Sequence, residues 1–411
     1  MATAGGVDRD EESQVPLVGF VAQQESAWQL PFWGSKQSGD DGYVDERHKG
    51  VVEVDVREDR REWIDIVDEH RPYNLRELNS LAGVLKLRGS VLMYKQIWIE
   101  ALFYYLLVAA VVGIYLAIPD EWVAVEKKST AVQNLATWLS ALSGFLVGLY
   151  TSGVIDKWKE LRVEGIGKIF DATTKLNFLL LSHIHTYTDG NLTYEDERTI
   201  DTIVRYGRVS LASIFVRRSD RQFHDLVKRG LLTEAEYRFL LDDVCYRVPC
   251  CVWAWVVALI GELDQKGRLT GLSGTTFLYE TASDGRDGAA FILRQLAAPL
   301  PFAYVHMMAF LVKVNNIVFA LAVSMRITRY LSQQGHWELF ALELVLVFVI
   351  PFLYNGILTL AQELSDPFAN EANDYPGELY DKYIARECYA AKQAVKRYKT
   401  LRQTQTRAGG K

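Results

Sequence analysis

Four long apolar stretches alternate with polar regions along the chain. They are 18 to 25 residues long and cover 97–118, 131–155, 300–323 and 344–361. Because a helix of about 20 apolar residues crosses the hydrocarbon core of a bilayer, each stretch predicts a transmembrane helix. A fifth apolar stretch, 250–260, has only eleven residues. That length is too short for a span, so we expect a buried core helix or a re-entrant helix there.

The polar region between the second and third spans has a helical pattern. Apolar residues in 156–298 recur every three to four positions, with charged residues opposite them. Thr233 is followed three residues later by Glu236, which is the capping-box spacing of a helix start. With further helix at 362–390, the pattern predicts an all-α membrane protein that combines four transmembrane helices with a cytosolic helical bundle.

Basic residues orient the spans. Lysine and arginine residues precede the first span and follow the second. Such residues favour the cytosolic side, so both flanks are predicted to be cytosolic, with a short outer loop near 119–130. The third and fourth spans form a second hairpin, which places Arg326 and Arg329 outside, against this rule.

The two ends of the chain differ in charge from the folded domain, which we place at 71–390. Residues 1–70 contain 17 acidic and 7 basic residues, a net charge of −10, whereas the whole chain carries −6. This composition predicts a mostly disordered extension that binds a protein partner or plugs a cytosolic opening. The basic tail, 391–411, is also predicted to be disordered. No basic patch interleaved with aromatic residues indicates nucleic-acid binding.

The third span contains polar residues on one helix face. His306 and Lys313 are seven positions apart, and Asn316 follows three positions later. A lysine inside a span needs a partner or water. Two interpretations remain open: a wet pore or vestibule lining that attracts anions, or an ion pair between Lys313 and a carboxylate such as Glu343 or Glu363.

The second span contains a stripe at helical spacing, formed by Ala141, Phe145 and Leu149 and flanked by small residues. Stripes of this kind usually pack against neighbouring helices. The alternative is an apolar constriction of a pore, which gates by excluding water.

The segment that follows the fourth span is rich in oxygen ligands. Six such side chains surround a rigid Pro-Phe step, namely Glu363, Asp366, Asn370, Glu371, Asn373 and Asp374. Ca²⁺ prefers carboxylate and carbonyl oxygens, so this loop is a candidate calcium site, although its spacing is not that of an EF-hand. The alternative is a solvated acidic linker at the helix ends.

Six short motifs follow one another between positions 73 and 390. They are Arg88–Ser90 with Tyr94–Lys95, Gly144–Tyr150 with Lys157–Trp158, Ile203–Tyr206, Leu226–Glu236 with Val248–Pro249, Pro301–Tyr304 and Ala361–Tyr375. Their order and spacing resemble those of the bestrophins, a family of pentameric anion channels. The last motif is the most specific one, because a Pro-Phe step with spaced acids directly after a last span is rare.

The resemblance implies five subunits around one central pore that is lined by the second span. Ala141, Phe145 and Leu149 would form its narrow neck, where the family has bulky apolar residues at all three positions. A second, cytosolic constriction would come from 248–257, with Cys251 and Val252 as the candidates.

The resemblance also implies a regulatory Ca²⁺ at the loop after the fourth span. The backbone carbonyls of Glu363 and Asp366 and the side chains of Glu371 and Asp374 would bind it. A backbone carbonyl near Tyr73 would complete the site. The sequence departs from the family pattern at two of these positions, because Glu371 stands where the family has Asp and Asp366 where it has Asn.

Together these expectations describe a calcium-regulated channel for chloride and other small anions, working as a homopentamer in a lipid membrane. The alternatives are a bicarbonate channel, or a membrane scaffold of the same fold without calcium gating. A plasma membrane is the first expectation and an organelle membrane the second. An enzyme is not expected, since the sequence has no P-loop, GxSxG or HExxH motif and no GxGxxG after a strand.

Overall fold

The computed structural model describes residues 90–118, 122–184, 192–216, 220–241, 247–269, 271–332, 337–369 and 373–409. The described residues form eleven α-helices and no β-strand longer than a single bridge. In chain order the helices are α1 Lys95–Ala117, α2 Trp122–Glu160, α3 Lys168–His183, α4 Tyr194–Phe215, α5 Asp220–Lys228, α6 Glu234–Phe239, α7 Val248–Gln265, α8 Leu272–Ala297, α9 Phe302–Ser332, α10 Trp337–Leu364 and α11 Gly377–Gly409. The prediction of an all-α protein is confirmed. The N-terminal extension, 1–70, lies outside the described residues.

Four helices form a membrane layer. The predicted spans coincide with α1, α2, α9 and α10, which are long and apolar enough to cross a bilayer. Helix α9 packs against the other three, and α10 also packs against α1 and α2. Two apolar clusters fill the layer, one around Tyr104 and Val347 and the other around Val147 and Val312. Helices α1 and α2 are thus held together by α9 and α10, each of which packs against both of them.

Helix α7 also has the length and composition of a span. Its residues Trp253, Val256 and Ile260 are nevertheless buried in the main core of the bundle, where α7 packs on α4 and α8. The packing of α7 therefore agrees with the expectation of a core helix. Gly285 of α8 permits this contact, because a methyl group there would lie 2.3 Å from the Trp253 ring.

The bundle consists mainly of α3, α4, α7, α8 and α11, and capping boxes fix two of its helix starts. Thr233 and Glu236 form the predicted box at α6, and Thr193 forms another with Asp196 at α4. In each case side-chain oxygens accept hydrogen bonds from backbone amides that the first helical turn leaves unpaired. The predicted start of α6 is confirmed.

One continuous helical rod joins the membrane layer to the bundle. Helix α2 passes through a π-helical segment, Leu161–Gly167, into α3 without a break. Because α2 already begins at Trp122, the loop predicted near 119–130 is shorter than expected. Polar residues such as Gln133 and Asn134 are tolerated at this end of the helix because the rod extends beyond a bilayer's thickness.

The predicted disordered tail is wrong for residues 391–409. Helix α11 continues through them to Gly409. Two features explain the difference. The segment is rich in alanine, lysine, glutamine and arginine, which favour helix. Lys392 also pairs with Asp201 of α4 at 3.2 Å, and Val395 packs against the bundle core.

Candidate functional site

Helix α2 presents one apolar face to the outside of the chain. Ala141, Phe145 and Leu149, the predicted neck residues, are exposed there, Phe145 by 64% and Leu149 by 54%. Trp138 is exposed by 77%. The opposite face, which includes Val147, is buried against α9 and α10. Packing against neighbouring helices of the same chain, the usual interpretation of such a stripe, does not hold for these residues.

Two glycines of α2 have open space around them. A methyl group added at Gly148 or Gly153 would meet no atom within 4 Å. Gly165, farther along the same rod, is different, because a methyl group there would lie 2.3 Å from Cγ1 of Ile292. Small residues let transmembrane helices approach one another closely. Helix α2 thus has room for a neighbouring helix that the described part of the chain does not supply.

Lys313 is paired inside the membrane layer. Its ammonium donates to a carboxylate oxygen of Glu100 on α1, and to Oδ1 of Asn355 on α10 at 3.1 Å. This is the ion-pair alternative, but with Glu100 as the partner instead of Glu343 or Glu363. Sequence analysis missed this pair, although Glu100 and Lys313 are the single charged residues of the first and third predicted spans.

The other polar groups of α9 do not form a continuous wet face. His306 is exposed near the start of the helix, and its ring lies 5.5 Å from that of Phe302. Asn316 is completely buried. Nearer the end of α9, Arg326 donates to both carboxylate oxygens of Glu343, at 2.6 and 2.8 Å. This pair neutralises one of the two arginines that violate the orientation rule.

The loop after α10 is fastened at its base. The backbone amide of Tyr375 donates to the carbonyl oxygen of Pro367 at 3.0 Å. Phe368 is buried against Phe215 of α4. Burial raises the pKa of the Tyr375 phenol, which stays protonated and donates to the backbone carbonyl of Trp158. The Pro-Phe step is therefore anchored on both the α2 rod and the bundle.

The same loop contacts the segment before the first span. Nδ2 of Asn373 donates to the hydroxyl of Tyr94 at 3.4 Å. On the other side of the loop, Asp366 attracts Lys157 electrostatically. The loop therefore connects the end of the fourth span with the start of the first.

The predicted calcium ligands lie only partly within the described residues, because Tyr73 and Glu371 fall outside them. Glu363, Asp366 and Asp374 are half-buried around the loop, and their oxygens are of the hard kind that Ca²⁺ prefers. Among the described residues, however, no three His, Cys, Asp or Glu side chains are grouped closely enough to hold a metal ion. The donor chemistry fits calcium, and a complete site requires backbone carbonyls as well.

The predicted second constriction needs a correction. Val252 is completely buried in an apolar cluster with Leu240, so it cannot line a pore between chains. Cys251 is half-buried. Ala254 and Val257 are exposed on the same helix. The error arises because an apolar run without polar interruptions does not show which of its faces packs against the bundle.

The comparison with protein families agrees with this architecture. A family model described as "Bestrophin, RFP-TM, chloride channel" matches residues 73–392, more than three quarters of the chain. The chain belongs to the bestrophin family. The resemblance based on six motifs is therefore confirmed. No curated protein matches the chain.

Solved structures share the fold of this bestrophin at low sequence identity. A structure described as a membrane protein has a TM-score of 0.57 and 18% identity, and the match covers 72% of this chain and 99% of that one. A bacterial bestrophin homologue from Klebsiella pneumoniae has a TM-score of 0.56 and 18% identity, with coverages of 71% and 97%. Another variant of that homologue gives a TM-score of 0.56, with coverages of 72% and 100%.

Family membership and the long apolar helices identify a multi-pass membrane protein of an anion-channel family. The family is one of channels rather than enzymes.

Proposed function

We propose that this bestrophin is a calcium-regulated chloride channel whose pore runs along the axis of a homopentamer. The observation that carries the proposal is the exposed face of α2. Bulky apolar residues and glycines with open surroundings lie side by side on it. Lipid would cover the apolar side chains without any need for glycine, whereas close approach of a second copy of α2 makes use of both.

In such an assembly the neck is a ring of apolar side chains. Phe145 supplies the largest of the three neck residues, with Ala141 and Leu149 one helical turn to either side. A narrow apolar ring excludes water when it closes, which blocks hydrated anions without any charged gate. On α7, the exposed residues Ala254 and Val257 are better candidates for the second constriction than Val252.

The loop after α10 supports the proposal of calcium control. Backbone carbonyls of Glu363 and Asp366, the carboxylates of Asp374 and Glu371, and a carbonyl near Tyr73 would hold the ion. A bound Ca²⁺ would supply a positive charge that draws these oxygens together. Because the loop already contacts α2, α4 and the segment before α1, such tightening would reach the pore helix.

Chloride is the proposed permeant ion and a plasma membrane the proposed location. The acidic residues 1–70 are proposed to bind a protein partner. These points rest on the family and on composition.

The proposal is tested by reconstituting the purified chain in planar bilayers under a chloride gradient. The expected result is a reversal potential close to that of chloride and a current that rises with free calcium. A native mass spectrum of the same sample is expected to show five chains. A reversal potential at the cation value, or an absence of current from assembled pentamers, would reject the channel proposal.

Calcium control has a separate test. Asp374→Ala removes one proposed ligand and is expected to shift the calcium response to higher concentration, with assembly unchanged. Glu378→Ala is the matched control, because Glu378 is an exposed acid only four residues away. If wild-type current ignores calcium from nanomolar to millimolar concentration, the loop is an acidic helix-end linker and calcium regulation is wrong.

A further inference from the structure

Polar side chains form a connected path across the membrane layer. The path begins at the ion pair between Glu100 and Lys313. The Lys313 ammonium also donates to Oδ1 of Asn355, and the same oxygen accepts a hydrogen bond from Nδ2 of Asn316 at 3.4 Å. Asn316 is completely buried and Asn355 is 3% exposed. The pair on α1 and α9 is therefore joined to α10 through two buried asparagines.

The path continues to α2, the proposed pore helix. Nδ2 of Asn315 lies 3.5 Å from Oδ1 of Asn316, and Oδ1 of Asn315 accepts a hydrogen bond from the Ser140 hydroxyl at 2.8 Å. A second contact reaches the same place, because the Tyr354 hydroxyl donates to the backbone carbonyl of Ser140 at 2.7 Å. Tyr354 is the neighbour of Asn355 in the chain. Both routes end at Ser140, one residue before the neck residue Ala141.

We propose that Glu100 and Lys313 are positioning residues for the pore helix, and that their ion pair biases the neck between its open and closed states. This inference rests on the proposed channel function. Its physical basis is the low dielectric of the layer. If Glu100 loses its charge, the Lys313 ammonium must find another acceptor, because an unpaired cation is costly there.

The acceptor already in contact with Lys313 is Oδ1 of Asn355. When Lys313 binds this oxygen more strongly, the hydrogen bond that Asn316 donates to it weakens. Asn316 can then shift, and the hydrogen bond between Asn315 and Ser140 weakens in turn. A change at the ion pair thus reaches the neck through groups that touch one another at each step. Coupling of this kind needs an element with two arrangements, and the neck of a gated pore is such an element.

The chain contains a matched control. Arg326 and Glu343 form a second ion pair in the membrane layer, between α9 and α10, with side chains 24% and 8% exposed. Both hydrogen bonds of this pair run between its own two residues, on α9 and α10, and neither involves α2. Loss of this pair should weaken the membrane layer without moving the neck.

The experiment compares Glu100→Gln with Glu343→Gln in the full chain in bilayers. Mutations along a coupled path change an equilibrium by about 2- to 30-fold. We therefore expect Glu100→Gln to change the ratio of open to closed states in that range, with single-channel conductance unchanged. Tyr354→Phe is expected to act in the same direction. The charge swap Glu100→Lys with Lys313→Glu should restore the wild-type ratio, and Glu343→Gln should leave it unchanged.

A second readout does not depend on conduction. In an Ala141→Cys background, the rate at which a charged thiol reagent modifies the neck is expected to change with Glu100→Gln and not with Glu343→Gln. If the wild type carries no anion current, the proposed function fails, and the modification rate alone decides the coupling. The inference is overturned if Glu100→Gln leaves both readouts unchanged, or if Glu343→Gln alters them equally.

Discussion

The two halves of the α2–α3 rod differ in how completely their surroundings are filled. In the bundle half, Gly165 is in tight contact with Ile292, and no larger residue fits. In the membrane half, Gly148 and Gly153 have open space beside them, and Phe145 is exposed. At these glycines the bundle half is filled by side chains of its own chain, whereas the membrane half has space that its own chain does not fill. Stability should reside mainly in the first region and function in the second.

Ion pairs show the same division. In the bundle, Asp381 accepts from Arg208 at 2.7 Å and from Arg229 at 2.6 Å, and the side chains of Asp381 and Arg208 are almost completely buried. These contacts fasten α11 to α4. In the membrane layer, the side chain of Lys313 remains 38% exposed while it pairs with Glu100. The ion pairs of Asp381 are enclosed by protein, whereas the Lys313 pair is partly exposed and can rearrange.

The largest loss of stability is expected when Asp381 loses its charge. Asp381→Asn removes the charge that neutralises Arg208 and Arg229, and breaking a buried pair in this way costs about 3–5 kcal/mol. Thermal unfolding followed by circular dichroism should show a large fall in midpoint. Glu378→Gln, on the exposed side of the same helix turn, should have almost no effect. A small change for Asp381→Asn would mean that stability does not reside mainly in the bundle.

The glycines provide the next test. Gly285→Ala places a methyl group against Trp253, and overpacking of a core costs about 1–3 kcal/mol. Gly148→Ala meets no atom of its own chain, so the midpoint of bundle unfolding should stay unchanged while the pentamer fraction in native mass spectra falls. Equal loss of thermal stability in both variants would contradict the division between a filled half and an open half.

The exposed face of α2 is tested at its largest neck side chain. Phe145→Ala widens the proposed apolar ring, so water enters more readily and the closed state is destabilised. Single-channel recordings should show a higher open probability. Phe178→Ala, at an exposed phenylalanine of the bundle half, serves as the control. Unchanged gating in an intact pentamer would assign Phe145 to helix packing instead.

Sequence patterns predicted the local features of this chain and missed those that depend on distant contacts. The spans, the α2 stripe and the capping box of Thr233 follow from spacing within a single element. The partner of Lys313 could not be chosen from spacing, because Glu100 lies 213 positions away. Contacts with distant helices of the bundle also decide the burial of Val252 and the helix beyond residue 390. The residue spacing within those two segments does not show such contacts.

A pH-dependent effect is expected at the junction of α4 and α6, where Glu236 pairs with Arg205 at 2.7 Å. Burial alone would raise the pKa of Glu236, but hydrogen bonds from Arg205, the Thr233 amide and Tyr206 lower it to about 2. A depressed carboxyl pKa stabilises the fold above the unfolded value of about 4.3, and this contribution is lost as the pH falls towards 2.

The unfolding midpoint of the wild type should therefore fall more steeply between pH 5 and pH 2.5 than that of Glu236→Gln. Above pH 5 the variant should be less stable by a constant amount, because the wild-type carboxylate is fully charged there. Glu234→Gln, at an exposed acid of the same helix turn, should keep the wild-type slope. Identical slopes for wild type and Glu236→Gln would show that the contact with Arg205 adds nothing to stability. This part of the bundle would then resemble the membrane half, where the chain does not fill its own surroundings.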